Sequence, residues 1–123
     1  MMDPRKTKIA IVGPCGAGKT VLADGLQSMG WDARQIAQEH SSVPNMWQVL
    51  TQPDVLIYLE ASFEVCSERK RISWTPREYE QQLQRLQHAR EHSDIKLHTD
   101  ETTPNEVLRE VLLSLERTQR THD

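Results

Sequence analysis

Gly13-Pro14-Cys15-Gly16-Ala17-Gly18-Lys19-Thr20 follows the pattern G-x-x-x-x-G-K-[ST], and these residue types at this spacing suit the holding of a polyphosphate. Glycines let the backbone fold tightly, so that successive N–H groups point into one concave nest. Lys19 can bridge β- and γ-phosphates as a point charge, and the Thr20 hydroxyl can ligate Mg²⁺. Gly13 through Thr20, with Val21 behind them, are therefore the candidate cradle. The implied ligands are ATP, or another nucleoside triphosphate, and Mg²⁺. The plainer alternative is a glycine-rich turn between a strand and a helix that holds nothing.

Phosphoryl chemistry needs two further things. The first is an acid near the metal, usually at the end of the strand beside the loop. Glu39 and Glu60 both follow a strand pattern. Glu39 is favoured, because the loop after a second strand paired beside the first would face the γ-phosphate; the competing reading is a solvated loop acid. Glu60 fits the start of a crossover helix or a position near the nucleotide. His40 can orient a water or act as a base, although a lone loop histidine is more often inert. The second need is positive charge over the transferring group. Arg69, Lys70, Arg71 and Arg77 surround the break Ile72-Ser73-Trp74-Thr75-Pro76, which reads as a basic lid hinge with Trp74 packed at its tip. Paired with Glu64, Glu68 and Glu78 at helical spacing, the same charges would make only a solvated face. Lys19, Glu39, Arg69 and Arg71 are thus the candidate catalytic residues, and Thr20 and Glu39 the candidate metal ligands.

The elements around these residues occur in the required order. Lys8 to Val12 is a β-branched run ending at Gly13, as a buried parallel strand does. Val21, Leu22, Ala23 and Leu26 give the next stretch, about 19–29, a helical apolar face. A weak second strand is expected over 32–37, a loop over 38–45 and a short helix over 45–50. Asp54 to Glu60 is a continuous apolar run fit for a sheet interior. Ser62 can cap a helix carrying Val65 and Cys66. Thr75-Pro76-Arg77-Glu78 and Thr103-Pro104-Asn105-Glu106 are capping boxes. The first opens a helix with Tyr79, Leu83 and Leu86 on one face. The second opens one striped by Val107, Leu108, Val111, Leu112 and Leu115. Between them Ile95 to Thr99 is a last short strand. Alternating β and α predict a three-layer α/β/α sandwich with a parallel sheet of about four strands, one domain over 1–123, binding its ligand at the carboxyl ends of the strands.

Composition excludes several function classes. A net charge of −3 gives no electrostatic reason for a nucleic-acid partner. No apolar run reaches the roughly 20 residues of a membrane span. The polar N-terminus, Met1 to Lys6, lacks the apolar stretch of a secretory signal, so cytoplasmic residence is expected. Cys15 and Cys66 have no metal-site spacing, and two cysteines make a disulfide scaffold a poor fit. A redox role for Cys15 at a helix N-terminus is conceivable; a tolerated small residue is the simpler reading.

The chain resembles the P-loop NTPases, specifically their nucleoside and nucleotide kinase branch. The glycine loop carries most of the likeness. The segment PDVLIYLEAS with the following ERKR looks like the family's penultimate strand and lid helix. SWTPREYEQQLQRL is similar to the lid region of dephospho-coenzyme A kinases. The resemblance implies the P-loop fold, lid arginines at Arg69 and Arg71, and a base bordered by Thr99, Asp100, Glu101 and Thr102. The chain departs from the family between Gly30 and Gln52, which leaves no room for the usual acceptor-binding insertion. No Asn-Lys-x-Asp is present to support guanine selectivity. Three expectations follow: phosphotransfer or slow hydrolysis, with the phosphoryl acceptor unknown; a non-enzymatic nucleotide-dependent module in which the Gln38–Trp47 loop engages a protein partner; or a homo-oligomer whose interface completes the substrate wall.

Overall fold

Four β-branched or small apolar residues in sequence, Ile9 to Val12, cannot all face one side of a sheet, because successive side chains alternate. The computed structural model, which describes residues 6–122 with side chains to 117, shows how both sides are covered. The polar N-terminus read above for the absence of a leader lies almost wholly outside the described residues. The element order is β1 (Lys8–Val12), α1 (Lys19–Ser28), β2 (Asp32–Gln35), a 3₁₀ turn (Gln38–His40), α2 (Met46–Thr51), β3 (Val55–Glu60), α3 (Phe63–Lys70), α4 (Pro76–His92), β4 (Ile95–His98) and α5 (Pro104–His122).

The four strands form one all-parallel sheet in the order β2-β1-β3-β4. Ile9 pairs with Ala33 on one side and Val55 on the other, and Ile57 pairs with Ile95. Ile9, Ile11, Val55, Ile57 and Leu59 face α1 and α5, where Leu22, Leu26, Val107, Val111 and Leu115 are buried. Ala10, Val12, Leu56 and Tyr58 face the other way, onto Trp47 of α2 and Leu86 and Ala89 of α4. Helices thus flank both faces. No described helix is long and apolar enough to cross a membrane.

Four sequence expectations shift. The second strand stops at Gln35, not 37. Ile36 keeps one ladder bond, its N–H donating to the Ile11 carbonyl at 2.9 Å, but its side chain turns into the α2–α4 core. The short helix runs Met46–Thr51, and α1 ends at Ser28. On α4 the buried line is Gln82, Leu86 and Ala89, with Tyr79 and Leu83 only partly buried. The second capping box forms in full, and the first only as an N-cap. Thr75 accepts from the Glu78 N–H, and Thr103 and Glu106 bond each other's backbone N–H reciprocally.

Because all strands are parallel, the connections after β1, β2, β3 and β4 leave the same edge. The chain turns to opposite sides from β1, toward β2 and toward β3. That is the switch point at which open parallel sheets place their sites.

Candidate functional site

The loop between β1 and α1 is shaped by its glycines. Gly16 has φ 90°, and a Cβ there would lie 2.7 Å from the Cys66 carbonyl oxygen. Gly18, at φ 104°, caps α1 and has nothing within 4 Å of where a Cβ would stand. One glycine is required by close approach, the other by conformation, and the space above Gly18 is open.

Lys19 begins α1, yet it does not reach for solvent. Its Nζ donates to the Gly13 carbonyl at 2.6 Å and to Glu39 Oε2 at 2.5 Å, with Pro14 O at 3.4 Å. Lysine and acid are both buried, with side chains 7% and 5% exposed. Glu39 is brought there because β2 pairs directly beside β1 and the 3₁₀ turn folds back over the loop. The reading of Glu39 as a solvated loop acid is therefore overturned. Gln38 fixes the turn from within, donating to the Val43 and Arg85 carbonyls and accepting from the Trp47 N–H at 2.9 Å. Arg85 donates to the Glu39 carbonyl at 3.2 Å. Glu39 Oε1 is buried with no hydrogen-bond partner among the described residues.

Cys15, Lys19, Thr20, Glu39, His40 and Arg69 line a cleft of about 650 Å³, together with Gly16, Gly18, Val21 and Lys70. Here the oxygens of Thr20 and Glu39, one of them unpartnered, are donors of the kind Mg²⁺ takes. An adjoining slot of about 240 Å³ is bounded by Ala17, Gly18, Val21, Thr99, Thr102 and Val107. Its walls are mostly apolar, and Thr102 Oγ1 is buried there without a partner among the described residues. Pro14 lies on the opposite side of the loop, where a third cleft of about 470 Å³ holds Tyr58, Glu60, Tyr79, Arg90 and His98. Glu60 is paired with Arg90 at 2.5 Å, and this bond raises the arginine's already high pKa.

Of the basic residues around the helix break, Arg69 turns inward. It donates to the Gly16 carbonyl at 3.2 Å and to Thr99 Oγ1 at 3.0 Å, and also to the Thr99 carbonyl. Thr99 in turn donates to the Ala17 carbonyl at 2.9 Å. Arg69 is thus a wall of the loop, not a free finger. Arg71 is not brought to the cleft. It ends α3 in the left-handed conformation, φ 52°, and is exposed. Arg77 is exposed as well. Trp74 packs as expected: its ring stacks on Phe63 at 5.9 Å, meets Tyr79 edge-on at 5.8 Å, and its Nε1–H donates to Ser67 Oγ. Asp100 accepts from the Ser62 N–H at 2.8 Å. Burial disfavours its charge, but the Ser62 bonds outweigh that and hold the carboxyl below the usual carboxylate range.

Sequence reasoning missed Gln82. From the middle of α4 its Oε1 accepts from the Cys15 N–H at 3.0 Å and its Nε2 donates to Cys15 Sγ at 3.3 Å. The available signal was a polar residue at the centre of an apolar stripe. Arg85 was missed for a different reason, since one arginine on a charged helix carries no mark.

No protein-family model matches the chain, and no curated protein matches it significantly. What the site can bind is read from its own geometry.

Proposed function

We propose that the chain binds a Mg²⁺–nucleoside triphosphate, ATP in the first instance, in a P-loop fold of the nucleoside and nucleotide kinase type, with phosphotransfer or slow hydrolysis as its chemistry. The observation that carries this reading is the buried Lys19–Glu39 pair, at 2.5 Å, under a loop whose positive-φ glycines leave open space at the head of α1. A buried lysine held between a carboxylate and a main-chain carbonyl is poised to exchange the carboxylate for phosphate oxygens while keeping the carbonyl. Glu39 released in this way has two oxygens for a metal or its water. Bound Mg²⁺ would supply neutralisation of charge between the β- and γ-phosphates. Thr20 would hold it, Arg69 would fix the loop wall, and the slot from Ala17 to Val107 offers an apolar berth for a base.

The test is the Mg·ATP affinity of the wild type against Lys19→Ala. Loss of a desolvated charge contact of about 2 kcal/mol predicts a fall of roughly 30-fold or more. Equal affinities, or no binding at millimolar nucleotide, would overturn the reading.

A second reading also has an observation behind it. Val43, Val49 and Leu50, just beyond the Glu39 turn, are 51%, 66% and 57% exposed. That apolar surface suits a non-enzymatic module whose partner contact responds to nucleotide through the 3₁₀ turn. Trp47 would not be its contact residue, because it is buried. Multiple-turnover phosphate release that disappears in Glu39→Gln would exclude the purely non-enzymatic form.

A further inference from the structure

We propose that Cys15, Glu39 and His40 form a three-ligand site for a zinc-class transition-metal dication. Cys15 Sγ lies 3.4 Å from His40 Nε2 and 3.8 Å from Glu39 Oε2, and the latter two atoms are 4.0 Å apart. A tetrahedral ion with bonds of about 2.0–2.3 Å keeps its ligand atoms roughly 3.3–3.6 Å apart. The observed triangle reaches that size when its longest edge, His40 to Glu39, closes by roughly 0.4–0.7 Å and the other two move less.

The arrangement is convergent. In a proton relay a histidine uses one ring nitrogen for the nucleophile and the other for the orienting acid. Here the same nitrogen, Nε2, faces both sulfur and carboxylate. Three metal-ligating atoms within 4.0 Å of one another describe a metal centre better than a catalytic dyad. The buried, unpartnered Glu39 Oε1 is a second, independent mark, because it gives the carboxylate spare ligating capacity. Outer contacts are in place too. Gln82 anchors the Cys15 N–H and donates to its sulfur, and Arg85 holds the Glu39 carbonyl.

The donor set selects the ion. Thiolate and imidazole suit Zn²⁺ and its neighbours, whereas Mg²⁺ takes oxygen. On binding, the Cys15 thiol exchanges its proton for the metal and releases it to solvent. Lys19 is the opposing charge, at 2.5 Å from Oε2. It keeps the Gly13 carbonyl when the metal takes that oxygen, and its nearness makes this an exchangeable site in place of a permanent structural one. His40 is exposed and Cys15 half-buried, so solvent reaches the fourth position. Glu39 is common to this site and to the proposed Mg²⁺ site, so the two ions compete for it, but the three side chains need no nucleotide to assemble.

The experiment uses the full reduced chain without nucleotide, titrated with Co²⁺ in excess Mg²⁺. The expected result is a thiolate-to-cobalt charge-transfer band that saturates at equimolar metal and is displaced by Zn²⁺. Cys15→Ser should abolish the band. His40→Ala should weaken Co²⁺ binding about tenfold or more. His92→Ala, on the far side of α4, should change nothing. In the unmutated protein, Zn²⁺ should slow iodoacetamide labelling of Cys15. Absence of the band in the folded wild type, its survival in Cys15→Ser, or its loss in His92→Ala with retention in His40→Ala would each overturn the proposal.

Discussion

The loop Gly13–Thr20 and the break between α3 and α4 both join regular elements, and both carry the residue types of a phosphate site. They differ in what holds them. Three distant elements brace the loop: Gln82 at Cys15, Arg69 at Gly16 and Thr99 at Ala17. The break is held mainly by its own neighbours, through Trp74 against Phe63, Tyr79 and Ser67. Arg71 and Arg77 therefore stay in water, while Lys19 is buried and aimed. A cation becomes a working group where surrounding elements fix its direction and strip its solvent; charge density in the sequence does not accomplish this. Arg69 and Arg71 illustrate the point within one helix end. Arg69 lies on α3, whereas Arg71 follows its last residue in the left-handed conformation, so the two side chains do not share a helical face.

The contrast breaks most visibly at Lys19. Lys19→Ala leaves Glu39 buried without its partner, and removing one member of a buried pair costs about 3 kcal/mol. Denaturant unfolding should show that loss. The double variant Lys19→Met/Glu39→Gln should regain most of it, because no lone charge then remains inside. Nucleotide affinity should stay low in both. A double variant that binds nucleotide normally would reduce the pair to a structural device.

Arg69 comes next. Arg69→Ala removes charge-assisted bonds to Gly16 and Thr99 and should cost about 2 kcal/mol of stability. Nucleotide affinity should fall with it as the loop loosens. A stability change within about 0.5 kcal/mol, the range of an ordinary surface residue, would erase the distinction from Arg71.

The two cysteines give a smaller and pH-dependent effect. Burial pushes the Cys66 thiol up from its ordinary 9.0 to about 11, although Arg69 pulls the other way. The folded state therefore holds the thiol proton more tightly than the unfolded chain. This contribution is full below pH 9 and fades as the pH rises from 9 toward about 11. Unfolding curves across that window should show the decline, and Cys66→Ala should remove part of it. At neutral pH iodoacetamide should label Cys15 and spare Cys66, which is fully buried.

Much of this was legible beforehand, because the responsible physics is local. The β-branched run before Gly13, the two capping boxes and the fully apolar β3 each announce themselves within a few residues. The Trp74 packing was readable for the same reason. The partners that complete the candidate site are not local. Gln82 looks like an interruption of an apolar stripe until α4 is laid across the loop 67 residues earlier in the chain. Gln38-Glu39-His40-Ser41-Ser42 looks solvated by composition, and only the pairing of β2 beside β1 buries its first two residues. Arg69 and Arg71 are equivalent in sequence; the end of α3 at Lys70 separates them.

The finest test acts on that helix end. Arg71 sits at φ 52°, in a region where a side chain is strained and glycine is not. Arg71→Gly relieves the strain but gives the unfolded chain more freedom, so the net gain should be small, roughly 0.5 kcal/mol. Thermal unfolding should move up by about 2 °C for a chain of this size. Nucleotide affinity and any phosphate release should be unchanged, because no contact of the cleft is lost. Arg71→Ala should be neutral to mildly destabilising on the same grounds. If Arg71→Gly is more stable yet loses turnover, the arginine reaches the phosphates only when nucleotide is bound, and the break is then a lid that the loop closes.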